Sequence, residues 1–169
     1  MLSNNKVNLS LLVKKIISGG QTGADRAALD FAIAHNIPHG GWLPKGRKTE
    51  DGILDHKYQL EEMPTAEYSQ RTEKNILEAD GTLIISHGKL SDGSALTKEL
   101  ARKQGKPWLH VDMAGMTSAE AGNQVRHWIQ KHRLGILNVA GARESKDPAI
   151  YQATMEVLSE VFLGHKEGR

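Results

Sequence analysis

Five short apolar runs, each followed by a stretch with helical spacing, set the strongest limit on what this chain can fold into. The runs are Val13–Ser18 (VKKIIS), Ile37–Gly41, Thr82–Ser86 (TLIIS), Trp108–Asp112 and Ile136–Val139 (ILNV). Between and after them, Gly23–His35, Ser69–Glu78, Ala95–Gln104, Ser118–His132 and Pro148–Phe162 repeat apolar residues every three or four positions. Ala24, Ala27, Ala28, Leu29, Phe31 and Ile33 give the first helix a wide apolar surface, with Asn36 as its C-cap. Leu96, Leu100 and Ala101 are the expected inward face of the third. Strands that alternate with helices predict a parallel, doubly wound sheet covered on both faces, a three-layer α/β/α sandwich of about five strands.

In such sheets ligands bind outside the carboxyl ends of the strands, near the point where the strand order reverses. The unusual residues fall on that edge. SGGQTG follows the first run, GWLPKGRK the second, SHGKLSDGS the third, DMAGMT the fourth and AGARES the fifth. The edge is therefore the expected site. Trp42–Pro64 has no periodicity and reads as a long functional excursion, anchored by Trp42, Leu43, Ile53, Leu54 and Tyr58.

Composition removes several classes of function. The 169 residues, 38% hydrophobic and 25% charged, suit one soluble domain over 1–169, with 1–12 expected to be a flexible N-terminal segment. A net charge of +2 gives no reason to expect nucleic acid as a partner. No apolar segment is long enough to span a membrane, and the first apolar cluster is too short for a signal-peptide core, so the cytoplasm is expected. The absence of cysteine excludes disulfides, thiolate metal ligands and a cysteine nucleophile. The histidines have no metal-ligand spacing, so no metal ligands are expected; His87 alone lies at the carboxyl end of a strand.

The SGGQTG turn admits two readings. Gly20 and Gly23 would let the backbone approach a phosphate at the start of a helix, with Thr22 adding a hydroxyl, or they would only serve a tight turn. No Gly-Lys-Ser/Thr is present, which removes a P-loop. Lys45 and Arg47, where a dinucleotide site needs an acidic residue, disfavour an NAD enzyme. Asp25 suits the helix dipole and would repel a phosphate, so it would face a ribose hydroxyl, a metal or an amine. Arg47 is either a phosphate ligand or a solvated loop charge. Arg71 and Asn75, one helical turn apart, are either inward ligand groups or surface residues. Asp92-Gly93-Ser94 forms a second glycine turn with Ser94 as N-cap and Thr97 one turn in; Glu99 falls on the solvent side.

Six segments carry a resemblance. SGGQTGADRAALDFA, GGWLPKGRKTEDG, YQLEEMPTAEYSQRTEKNILEADGTLIIS, DGSALT, KPWLHVD and LNVAGARES, in this order from Lys15 to the final helix, resemble the molybdenum carrier protein family. That family is part of a wider Rossmann-like group that includes the lysine-decarboxylase-like phosphoribohydrolases and the DNA-processing protein DprA. The resemblance implies a Rossmann-like fold and a small phosphorylated ligand at the carboxyl edge of the sheet. The ligand would be molybdenum cofactor (molybdopterin) or a related nucleotide or oxyanion such as molybdate. Gly19, Gly20, Gln21, Thr22 and Gly23 would cradle the anion, with Lys45, Arg47, Arg71 and Asn75 as polar partners and Gly93, Ser94 and Thr97 at the second helix terminus.

Without cysteine, the metal would be left to the cofactor's own dithiolene. The hydrolases carry P-G-G-x-G-T-x-x-E where this chain has S-D-G-S-A-L-T-K-E: Gly93 and Glu99 keep their spacing, while the proline, one glycine and the threonine register are lost. A non-enzymatic carrier is therefore preferred. The alternatives are a nucleoside-monophosphate phosphoribohydrolase, with Glu99 as acid/base and Arg71 orienting it, and a nucleotide-sensing module. Exposed faces of Rossmann-like units pair, so a homo-oligomer is expected.

Overall fold

Alternation of the two periodicities is realised along the chain. The computed structural model describes residues 12–164, so the expected flexible segment 1–12 lies outside the described residues except for its last. The central strands are β1 (Lys15–Ile17), β2 (His39–Gly40), β7 (Gly81–Ser86), β8 (Trp108–Asp112) and β9 (Ile136–Gly141). The helices are α1 (Ala24–Ala34), α2 (Tyr68–Glu78), α3 (Asp92–Lys103), α4 (Ser118–His132) and α5 (Ile150–Phe162).

The sheet order is β2-β1-β9-β7-β8, and every neighbouring pair is parallel. Helices α1, α4 and α5 pack on one face, α2 and α3 on the other. This is the Rossmann-like three-layer arrangement. All six residues of β7 are buried, and Leu83, Ile84 and Ile85 are wholly so. A parallel strand covered on both faces has no solvent side, hence the unbroken apolar run. Phe31, Val125, Trp128, Leu137, Val139, Val157 and Leu158 fill the main core against it. A capping box closes the start of α4: Thr117 accepts from Glu120 N–H while the Glu120 carboxylate accepts from Thr117 N–H.

The last strand in sequence, β9, is the central one in space. Read as a ring starting at β9, the strands run β9, β1, β2, β7, β8, and the sheet order becomes 3-2-1-4-5, the doubly wound order. The reversal point then lies between β9 and β7. The crevice there is bounded by the loops after those two strands and by the turn after β1.

Several local expectations are corrected. Helix α3 begins at Asp92, not Ala95: Ser91, extended at φ −143, is the N-cap, and its carbonyl accepts from Ser94 and Ala95 N–H. Ser94 therefore lies inside the first turn. The inward stripe of α3 is Ser94, Thr97 and Ala101, which leaves Leu96 exposed. Helix α2 starts at Tyr68 after Glu67, one residue before the expected Ser69. Ile33 is 40% exposed, outside the face that α1 buries. The C-cap of α1 is His35 and not Asn36, which follows it at φ 54 in the left-handed conformation that ends helices.

The excursion is structured. Short strands β3 (Trp42–Leu43) and β6 (Glu61–Glu62) pair in parallel, and β4 (Lys48–Thr49) and β5 (Gly52–Ile53) form a hairpin. Leu43, Leu54, Tyr58 and Leu60 close with Leu29 into a second small core, while Ile53 is 73% exposed and anchors nothing. Arg47 organises this segment. Its guanidinium is buried and donates to the carbonyls of Leu54 (3.3 Å), Asp55 (3.1 Å), Tyr58 (2.9 Å) and Leu60 (3.0 Å). No helix among the described residues is long and apolar enough to cross a membrane.

Candidate functional site

The carboxyl ends of β1, β7 and β9 open into a cavity of about 630 Å³ at the reversal point. Gly19 and Gln21 come from the turn after β1, and Asp25 from the first turn of α1. Arg71 and Asn75 come from α2, and Ser94 and Thr97 from the polar stripe of α3. The floor is Asn138–Gly141 of β9, and the flanking loops add His87, Lys89, Arg143, Lys146 and Asp147.

Arg71 is the most unusual of these groups. It is 8% exposed, and its Nη1 donates to the Gly19 carbonyl. Among the described residues its side chain meets no other hydrogen-bond acceptor and no carboxylate at ion-pair distance, and its guanidinium stands 5.5 Å from the centroid of the Tyr68 ring. Burial pulls its pKa down, opposed by the charges of Asp25 and Tyr68. A buried charge with unused donors is costly unless an acceptor is supplied.

Asp25 lies beside it. Burial pushes its carboxyl up to about 6, against the lowering effects of Arg71, the Gln21 N–H and Arg26. Its Oδ2 accepts from Gln21 N–H at 3.3 Å. Asn75 has a scaffolding role as well: its side chain accepts from Trp42 N–H at 2.9 Å and donates to Trp42 carbonyl at 3.2 Å, which pins the excursion to α2.

The two loops flanking the reversal point are joined to each other. His87 Nδ1 meets Asp147 Oδ2 at 2.6 Å, and Lys146 pairs with Asp92 at the start of α3. Asp112, from the end of β8, fixes the β7 loop by accepting from Gly88 N–H at 2.7 Å. At the N-terminus of α3, the Asp92 and Gly93 amides have no acceptor among the described residues.

The SGGQTG turn has a different arrangement from an open cradle. Gly20 N–H donates to Ser18 Oγ, Gln21 N–H to Asp25, Thr22 N–H to Gln21 Oε1, and Ala24 N–H to the Ala142 carbonyl. These donors are satisfied within the protein. Gly20, at φ 72, faces the second core, where a Cβ would run into Leu43 at 2.8 Å. Gly23, at φ 80, abuts the Ala142 carbonyl, so any side chain would push the β9 loop away.

Of the residues expected at the site, Gly19, Gln21, Arg71, Asn75, Gly93, Ser94 and Thr97 line the cavity together. Gly20, Thr22 and Gly23 form the packed underside of the first turn, and Lys45 and Arg47 belong to the excursion; none of the five lines the cavity. Glu99 lies on the exposed side of α3, paired with Arg102 at 2.5 Å. Sequence reasoning did not single out Asn138, Arg143, Lys146 and Asp147. The signal was the AGARES segment after the last strand, which only the central position of β9 brings to the crevice.

The model of the circularly permutated YpsA SLOG family matches residues 16–162. A solved structure at 1.45 Å, from Syntrophus aciditrophicus SB, carries the name "Putative molybdenum carrier protein". That protein is 58% identical to this chain with a TM-score of 0.88, over 90% of this chain and 96% of its own. Among the curated proteins, none matches this chain.

Proposed function

This chain belongs to the circularly permutated YpsA SLOG family, and from that premise we propose that it is a non-enzymatic carrier whose cavity binds molybdenum cofactor or a related ligand bearing a phosphate or oxyanion. The observation that carries the reading is Arg71: a buried guanidinium on the cavity wall with one hydrogen bond inside the protein. Such a group is stabilised by a ligand acceptor that completes its hydrogen bonding. The free amides at the start of α3, with Arg143 and Lys146 nearby, supply a place for a terminal phosphate. The anion is therefore assigned to the β7 and β9 loops, and not to the closed underside of SGGQTG.

The cavity has the volume of a small-molecule site. Among the described residues, no group of three or more His, Cys, Asp or Glu is placed to hold a metal. The chain would thus grip the organic part of the cargo, with the metal held by the cargo's own dithiolene. The name of the Syntrophus aciditrophicus protein supports this cargo. The phosphoribohydrolase alternative is weakened by Glu99, which faces solvent in an ion pair and does not reach the cavity. Residence in the cytoplasm as a homo-oligomer belongs to the same proposal.

The test is a binding titration of isolated cofactor against the wild type and Arg71→Met. Loss of at least about thirtyfold in affinity in the variant is expected. Equal affinity in both proteins contradicts the assignment.

A further inference from the structure

We propose that the wall formed by Arg71 and Asp25 around Gly19 is a receptor for the aminopyrimidinone edge of a fused ring, the edge shared by pterins and guanine. The inference rests on the carrier reading above and names the part of the ligand that meets this wall.

Gly19 shows how close the two head groups stand. A Cβ there would lie 2.8 Å from Arg71 Cζ and 2.9 Å from Asp25 Oδ2, so guanidinium and carboxylate border one small volume. The missing side chain lets both head groups pack against the Gly19 backbone, and all three residues line the cavity. Arg71 presents donors without protein acceptors. Asp25 Oδ2 accepts one long hydrogen bond from Gln21, and Oδ1 has no donor among the described residues. The wall therefore offers a donor beside two acceptors, both partly desolvated.

An aminopyrimidinone edge carries the complement in order: a carbonyl oxygen that accepts, a ring N–H that donates, and an exocyclic amine that donates. The carbonyl meets Arg71, and the two donors meet the Asp25 carboxylate. Adenine fails here, because it lacks the carbonyl and sets a ring lone pair against Asp25. Polar groups left unpaired by the wrong ring are what make such a site selective. A phosphate on this wall would face the like charge of Asp25, which leaves it to the Arg143 and Lys146 side of the cavity.

Calorimetric titration of the full chain with GMP, IMP, AMP and inorganic phosphate tests this. GMP is expected to bind at least about tenfold more tightly than AMP, with IMP, which lacks the amine, in between. Asp25→Asn, nearly the same shape, should weaken GMP and strengthen AMP, because its amide N–H meets the adenine ring lone pair, so the preference for GMP is lost or inverted, with folding checked by thermal melting. GMP and AMP binding within twofold of each other in the wild type overturns the ring receptor and leaves the anion site standing. Failure of all four probes to bind overturns both.

Discussion

Ser145 donates twice to Glu50, 95 residues away: its N–H to Oε1 at 3.0 Å and its hydroxyl to Oε2 at 2.5 Å. Glu50 also accepts the Thr22 hydroxyl, and Arg143 Nε stands 3.6 Å from Oε2. One carboxylate at the tip of the β4–β5 hairpin thus ties the SGGQTG turn to the β9 loop, the loop that supplies Arg143 and Lys146 to the cavity. Glu50→Ala is expected to lower stability by roughly 2 kcal/mol and to speed amide exchange across 142–149. Urea unfolding and hydrogen exchange measure the two effects. Exchange unchanged in that loop would show that Glu50 does not hold it.

The same carboxylate and Asp25 respond to pH in opposite directions. Burial raises Glu50, but the Ser145 and Thr22 hydrogen bonds and the Arg143 charge outweigh it and hold the group below its ordinary 4.5. Its stabilisation is present above 4.5 and is lost as pH falls through the lower folded value. Asp25 is raised from 3.8 to about 6. The fold favours its protonated form, so that contribution is full below 3.8 and disappears as pH rises through 6. Asp25→Asn is accordingly expected to be more stable than the wild type at pH 8, by up to roughly 3 kcal/mol, with the difference vanishing near pH 4. Unfolding curves at the two pH values check this; a variant less stable than wild type at pH 8 contradicts it.

Periodicity made the layers legible, because a strand covered on both faces must read as Leu83-Ile84-Ile85 and a helix on a sheet must repeat every three or four residues. It also placed the site edge, since glycine and charge collect where strands end. Strand order was not legible. Alternation says nothing of neighbours, and only spatial pairing shows β9 between β1 and β7. That is why Arg143 and Lys146 escaped notice while Lys45 and Arg47, equally basic, drew it. Residue type cannot tell an arginine aimed at a ligand from one that binds four carbonyls of its own loop, as Arg47 does. The start of α3 was misplaced for a related reason: Gly93 looks like a turn residue, yet Ser91 caps the helix one step earlier than Asp92.

Glu99 separates the carrier from the hydrolase. It is fully outside the cavity lining and bound to Arg102 on its own helix. Glu99→Gln is expected to change ligand affinity by less than about twofold, since surface ion pairs contribute little. Release of free base from AMP that stops in Glu99→Gln would replace the carrier account with an enzymatic one.

In the carrier reading, Arg71 and its cavity hold a phosphorylated pterin. Native mass spectrometry of the full chain, purified from a host that makes abundant molybdenum cofactor, tests it most directly. A population heavier than the bare chain by the mass of a phosphorylated pterin is expected, reduced to background in Arg71→Met. Bare protein alone, or an adduct of equal abundance in Arg71→Met, would contradict it.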